Sequence, residues 1–229
     1  MYTENNRRPP CVIIRSPCYV EVKFYIFRRK NKVTMNGEAQ KNGKSLIILG
    51  IDPGTRITGY GIIKSEQSVS TPLDFGCIRP PPHLPQAERY LAIFNAVEQL
   101  MDKFRPDAVS IETQFVYKNV QSAMKLGMAR AVAMLPAARR SVPVFEYAPR
   151  KAKLAVVGNG GASKIQVQKM VQLILKLGQL PQPEDAADAL ALALCHANTI
   201  KFGKNLCLNT SKVSSLSLPR NTPSLTSAD

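Results

Sequence analysis

Histidine and cysteine are scarce in this chain, and their scarcity narrows its chemistry. His83 and His196 are its two histidines, too few for histidine-rich metal chemistry. The five cysteines, Cys11, Cys18, Cys77, Cys195 and Cys207, are odd in number and scattered, with no Cys-x-x-Cys pair. Neither a disulfide framework nor a zinc site is signalled. Cys77 and Cys195 stand in apolar surroundings and read as core thiols of a reducing compartment. A metal site here must therefore be built from carboxylates, which select hard ions such as Mg²⁺ or Mn²⁺. Long apolar runs are missing too: none approaches the roughly 20 residues of a membrane span. Acid is the last shortage, with 16 Asp and Glu against 31 Lys and Arg, a net charge of +15 and a pI near 9.8. That balance calls for a polyanionic partner, nucleic acid ahead of an anionic membrane surface.

What is present suits one medium domain with tails: 229 residues, 25.2 kDa and 45% hydrophobic content. Residues 1–34 carry eight Lys/Arg against two Glu, with prolines interrupting short apolar pieces. Arg15, Glu21 and Lys23 break the apolar stretch a signal peptide needs. An Arg-rich organellar presequence and a basic nucleic-acid arm are two readings of this segment. The simpler one is a start placed too early, with Met35 as the first residue. Residues 1–44 thus read as a basic and polar extension, 45–200 as the domain, and 201–229 as a disordered Ser/Thr-rich tail.

The chain is organised around residues 46–63. A continuous apolar run, Leu46 to Ile51, has the length and branching of a buried strand and ends abruptly on Asp52. Pro53 biases Asp52 to extended geometry, Gly54 permits a tight turn, and Thr58 to Ile63 reads as the returning strand. A carboxylate at the centre of a sheet is costly unless something pairs with it, and a divalent cation is one such partner. Taken alone, Asp52 could equally open an ordinary Asp-Pro-Gly turn.

Leu73 to Arg79 gives a third strand, and Tyr90, Phe94, Val97, Met101 and Phe104 make the stripe of an amphipathic helix that Pro106 stops. Asp107 to Glu112 is a short strand ending, like the first, on an acid. Asn119 to Ala138 reads as a helix with a smooth seam at Ala123, Gly127 and Ala131, fit to pack inside the domain or against a second subunit. Val142 to Tyr147 is a fifth strand. Ser163 caps a helix with the stripe Val167, Met170, Val171, Ile174 and Leu177, and a last helix runs from Glu184 to about Thr199. This order predicts an α/β fold: a mixed five-stranded sheet, an antiparallel meander of three strands followed by two strands joined through helical crossovers, flanked by helices.

Asp52, Glu112, Asp185 and Asp188 stand at the ends of predicted elements, and the last two, three residues apart, lie on one helical face. An aspartate at a helix start is often only a cap. Capping accounts for one such residue more easily than for two on one face beside two strand-ending acids. The set resembles a two-metal nuclease centre. Between Lys118 and Lys176 there are eleven Lys/Arg against Glu146 alone, an excess suited to phosphate contacts. Any single one of them reads better as a solvated surface charge.

With these residues assembled, residues 46–197 resemble the RuvC-type crossover junction endonucleases, bacterial Holliday junction resolvases of the RNase H-like superfamily. The matching blocks are Leu-Gly-Ile-Asp-Pro-Gly-Thr-Arg-Ile-Thr-Gly-Tyr-Gly (49–61), Ile-Glu (111–112), Ala-Met-Lys-Leu-Gly-Met-Ala-Arg (123–130), Pro-Val-Phe-Glu-Tyr (143–147) and Asp-Ala-Ala-Asp-Ala-Leu-Ala (185–191). The resemblance implies that Asp52, Glu112, Asp185 and Asp188 are the catalytic metal ligands, for two Mg²⁺ per subunit with Mn²⁺ as a substitute. It places DNA contacts at Lys153 and Lys164, with Lys118 and Arg150 in the same basic run. It puts Phe115 where the family stacks an aromatic on a base, although Phe115 by itself reads as well as a loop anchor. It further implies a cytoplasmic homodimer acting on four-way junction DNA in recombination and repair, alongside a RuvA–RuvB type branch-migration complex. The chain departs from the pattern in its two terminal extensions and in a slightly longer loop before Asp185. Three other readings stand beside this one: an RNA-processing nuclease of the same superfamily, a sugar-kinase-like fold, and a non-catalytic DNA-binding module. The kinase-like fold needs roughly twice this length and a second phosphate hairpin.

Overall fold

The computed structural model describes residues 45–67, 69–113 and 120–213, with residues 201–213 described by backbone alone. Phe115, Lys118 and the segments 1–44 and 214–229 lie outside the described residues. Three antiparallel strands come first, β1 (Leu46–Asp52), β2 (Thr58–Glu66) and β3 (Val69–Ile78). They are followed by α1 (Gln86–Phe104), β4 (Ala108–Glu112), α2 (Val120–Arg139), β5 (Val144–Tyr147), α3 (Pro149–Val157), α4 (Lys164–Ile174) and α5 (Glu184–Val213). The strands form one sheet in the order β3-β2-β1-β4-β5, with β4 parallel to β1 and β5 parallel to β4. This is the predicted mixed sheet.

Both faces of the sheet are covered, which is why β1 reads as an unbroken apolar run rather than an alternating one. On one face Leu49, Ile51, Tyr60, Ile62, Val109 and Ile111 pack against α1 and α2. On the other, Ile48 and Ile63 pack against α3, α4 and α5. Gly50 pairs with Gly61 of β2 and Ser110 of β4, and Asp52 pairs with Gly59. Because side chains alternate, Ile48, Gly50 and Asp52 share this second face with them and with Glu112, two residues beyond Ser110. The period of two thus decides on which side both strand-ending acids stand.

Helix α5 lies centrally against that face. Ala186, Ala187 and every residue from Ala189 to Ala197 are buried, the all-round apolar pattern of a helix enclosed on most sides. Its backbone continues to Val213, beyond the end expected near Thr199. Residues 201–213 contain one glycine and no proline, so nothing in them forces a stop.

The order of elements follows the sequence closely, and the details depart from it where packing overrides pattern. In α1 the buried side chains are Ala92, Ile93, Ala96, Val97, Leu100 and Met101. The core-facing stripe is therefore rotated from the expected one: Tyr90 and Phe104 sit at its flank, and Phe94 is half-buried. Ala92 and Ala96, one turn apart, belong to that buried face, and the close neighbour of α1 is α2 rather than a strand. Helix α4 opens with the expected Ser163 cap, a full capping box in which Ser163 Oγ accepts from Gln166 N at 3.4 Å and Gln166 Oε1 accepts from Ser163 N at 2.8 Å. It ends at Ile174, which is exposed, and Leu175 and Leu177 enter the core from the turn that follows.

Helix α3 has no counterpart in the sequence reading, which saw only a basic run there. Its signal was Pro149 at the first turn and Gly158, with φ +80°, just past the end, the proline-start and glycine-stop asymmetry of helices. The seam at Ala123, Gly127 and Ala131 does not pack inside the domain: Gly127 and Ala131 are exposed, and α2 buries Ala129, Ala133, Pro136 and Ala137 instead.

Candidate active site

Asp52 and Glu112 end neighbouring parallel strands, and the paired Ile51 and Ile111 immediately precede them. The two carboxyls therefore emerge side by side at one end of the sheet. Asp185 and Asp188 reach the same place because glycines clear the way for α5. A Cβ on Gly50 would run into the carbonyl of Ala189, one on Gly61 into Leu190, and one on Gly59 into the backbone carbonyl of Asp185 itself. Three glycines on one face of β1 and β2 thus form a trough in which α5 sits against bare backbone. Its first turn is held over Asp52.

The charges of the acids act on one another. Burial, followed by the charges of Glu112, Asp188 and Asp185, pushes the Asp52 carboxyl up to about 8, against a smaller pull from Lys164. Burial and then Asp188 push Glu112 up to about 7, opposed by Lys164 and Lys153. Asp188 is also raised, by burial first, with Lys164 the main opposing charge. Carboxylates arranged to resist their own ionisation at neutral pH mark a functional site or a cation site. Among the described residues no three His, Cys, Asp or Glu side chains converge closely enough to enclose a metal ion as they stand. The site is an open field of coupled acids rather than a closed cage. An all-oxygen donor set of this kind fits hard divalent ions that keep positions for water and substrate.

Two of the expected lysines border these acids. Lys164 Nζ stands 3.7 Å from Asp188 and 3.5 Å from Glu184. Burial pulls its ammonium down, but Asp188, Glu184 and Asp185 outweigh this and hold it above its usual range. Lys153 donates to the Ala162 carbonyl at 2.8 Å, which fixes its ammonium near the site. Both come from α3 and α4, on the α5 side of the sheet. Arg150 is exposed on α3, its side-chain stem lying across Gly160.

A thiol that the sequence reading assigned only to the core adjoins the acids as well. Cys77 pairs with Gly59, which in turn pairs with Asp52, so the three form one row across the sheet. Burial and the charge of Asp185 push the Cys77 thiol up to about 12, so it stays protonated and fills space. On the far side, Tyr147 lies beside Glu112 in register, and its hydroxyl meets Nδ1 of the buried His196 at 2.7 Å. Burial lowers His196 to about 4 and so keeps it neutral.

Comparison with known proteins agrees with this architecture. Residues 48–196 match the family model described as "Crossover junction endodeoxyribonuclease RuvC". The chain is 64% identical over 152 residues to the crossover junction endodeoxyribonuclease RuvC of Protochlamydia amoebophila, covering 66% of this chain and 90% of that protein. It is 47% identical over 158 residues to the RuvC of Ruminiclostridium cellulolyticum, covering 69% of this chain and 95% of the relative. Among solved structures, Thermus thermophilus RuvC in complex with a Holliday junction substrate superposes with a TM-score of 0.66 at 36% identity, covering 69% of this chain and 96% of that one. A family model matched from the first strand to the buried core of α5, with relatives covered almost end to end, places the chain in the RuvC family of crossover junction endodeoxyribonucleases.

Proposed function

We propose that this protein is a structure-specific endonuclease that resolves four-way DNA junctions in homologous recombination and repair by paired symmetric nicks, leaving 5′ phosphates and 3′ hydroxyls. The observation that carries the reading is the meeting of Asp52, Glu112, Asp185 and Asp188 at one end of the sheet, with Asp52 pushed to about 8 and Glu112 to about 7. Groups that hold their protons this strongly are poor as isolated carboxylates and good as shared ligands of a strong cation.

In this reading the four acids would hold two Mg²⁺ ions, for which Mn²⁺ could substitute. Metal held by these acids would supply an activated water and offset charge on the scissile phosphodiester. The residues of the chain do the rest. Asp52, fixed at a strand end and flanked by buried backbone, keeps the centre in place. Asp185 and Asp188 are locked to it by the packing of α5 on glycine. Lys164 and Lys153 face the acids from the substrate side and offset phosphate charge. Arg150 adds to the DNA contacts, and Phe115 and Lys118, outside the described residues, are assigned to them by family resemblance alone.

A homodimer is part of the same proposal, because a two-fold pair of active sites matches paired cleavage of a nearly two-fold junction. Support comes from α2, where Val120, Met124, Met128 and Leu135 are exposed along with Gly127 and Ala131. These residues recur at spacings of three and four, an apolar stripe that a water-facing helix would not keep. Action in the cytoplasm, alongside a RuvA–RuvB type branch-migration complex, rests on family membership alone. Among the described residues no helix is long and apolar enough to cross a membrane.

The test is cleavage of a labelled synthetic four-way junction, a matched linear duplex and a structured RNA, each with Mg²⁺ and with EDTA. Paired Mg²⁺-dependent nicks confined to the junction support the reading. Cleavage of the RNA alone would replace it with an RNA-processing nuclease.

A further inference from the structure

A second basic concavity lies on the opposite side of the sheet from Lys153 and Lys164. It is a cavity of about 310 Å³ between the β1–β2 turn and the first turns of α1 and α2. Arg56, Arg89 and Lys125 line it, one from each of these elements, together with Thr55, Gln86 and Ser122. No acid lines it, and Glu88, the acidic residue in the first turn of α1, is outside the lining. None of the three cations makes an ion pair among the described residues. Three uncompensated cations from separate elements repel one another, and an anion relieves that repulsion.

The cavity is also built rather than merely charged. The Arg89 guanidinium donates to the Thr55 carbonyl, tying α1 to the turn that leaves Asp52. Its Nε is buried and has no hydrogen-bond partner among the described residues. Tyr90 donates to the Lys125 carbonyl at 3.0 Å and accepts from Gln86 at 2.6 Å, which fixes α2 against α1. Gln86 is the first residue of α1 and Ser122 the third of α2, so the positive ends of two helices meet here.

We infer that, in a nuclease acting on junction DNA, this cavity binds a backbone phosphodiester a short distance along the strand from the scissile one. Thr55 is three residues from Asp52, so an anion held here fixes the strand beside the acids from the α1 and α2 side. Lys153 and Lys164 approach from the other side. The two basic surfaces bracket the strand, and the site serves register on the backbone rather than reading of bases.

The test uses the full chain in EDTA, so that binding is measured without cleavage. The primary variant combines Arg56→Gln and Lys125→Gln, two exposed side chains that make no hydrogen bond among the described residues, so folding is kept. Arg89→Gln is a second variant, and thermal melting checks whether the turn survives it. The expected result is a ~5- to 30-fold weaker junction Kd for the double variant and a salt slope shallower by about 1 to 2, because each phosphate that is no longer neutralised lowers the slope by about one. A scan of single neutral methylphosphonate linkages along the junction identifies the phosphate. One linkage weakens the unsubstituted protein and leaves the double variant unaffected. A double variant with unaltered Kd and salt slope overturns the subsite while leaving the nuclease reading intact. An unsubstituted protein that does not bind the junction overturns both.

Discussion

Gly59 stands opposite Asp52 in the β1–β2 register, and the backbone of Asp185 occupies the space a side chain at Gly59 would need. One missing Cβ thus sets the distance between the acid on the strand and the acids on the helix. The relation makes packing of α5 and assembly of the site a single event.

Gly59→Ala is therefore expected to separate the two halves of the site. Overpacking of this kind costs about 1–3 kcal/mol of stability, and a displacement near 1 Å at a catalytic group costs on the order of 10²-fold in rate. Single-turnover junction cleavage should fall by at least ~10-fold while junction binding in EDTA stays within about 2-fold. The residues assigned to DNA contact lie elsewhere. Cleavage at the unsubstituted rate would show that α5 has room the packing denies it.

The raised carboxyls fix a pH dependence for cation binding. Asp52 at about 8 and Glu112 at about 7 hold protons in the folded, metal-free protein that the unfolded chain releases near pH 4. Between these limits the folded state binds more protons, so metal-free stability falls as pH rises from about 4 to 8. A cation must displace the same protons. Calorimetric titration with Mg²⁺ or Mn²⁺ in buffers of different ionisation enthalpy should show proton release at pH 7, with apparent affinity rising from pH 6 to 9.

Much of this site was legible in residues 46–63 and 184–191, because an acid after a buried apolar run and two acids one turn apart are local patterns. The mixed sheet was legible for the same reason, since each strand and helix carries its own period. The trough was not, although Gly-x-Gly at 59–61 could have suggested it, because its purpose depends on a helix more than 120 residues further on. The stripe of α1 misled because Tyr90, Phe94 and Phe104 carry more apolar surface than Ala92 and Ala96, while close packing against the alanines of α2 favours the small residues. Cys77 read as an ordinary core thiol, and only the strand register brings it beside Asp185.

The exposed stripe on α2 predicts the oligomeric state. Met128→Asp places a charge in the middle of that stripe, where the native side chain is 47% exposed in the single chain. The variant should keep its melting behaviour at low concentration and elute as a monomer in light-scattering chromatography at micromolar concentration, where the unsubstituted protein is expected to elute as a dimer. A dimer that survives this charge would move the interface to another face.

His196 gives a second, independent pH effect. Its pKa falls from an ordinary 6.5 to about 4 on burial, so between these values the unfolded chain binds a proton that the folded chain refuses. Stability is full above pH 6.5 and is lost as pH falls towards 4, by up to about 3 kcal/mol at 1.36 kcal/mol per unit. In His196→Gln, whose amide can donate to or accept from the Tyr147 hydroxyl, the difference in urea stability between pH 7 and pH 4 should shrink by that order.

The central claim is that Asp52 is held as a cation ligand at a cost to the fold, and Asp52→Asn tests it most directly on a labelled four-way junction. Mg²⁺-dependent cleavage is expected to drop by ~10³-fold or more while the Kd for the junction in EDTA is unchanged. Removing a buried acid that three others repel should also raise the melting temperature of the metal-free protein. Retained cleavage, or a metal-free variant that melts below the unsubstituted protein, would contradict it.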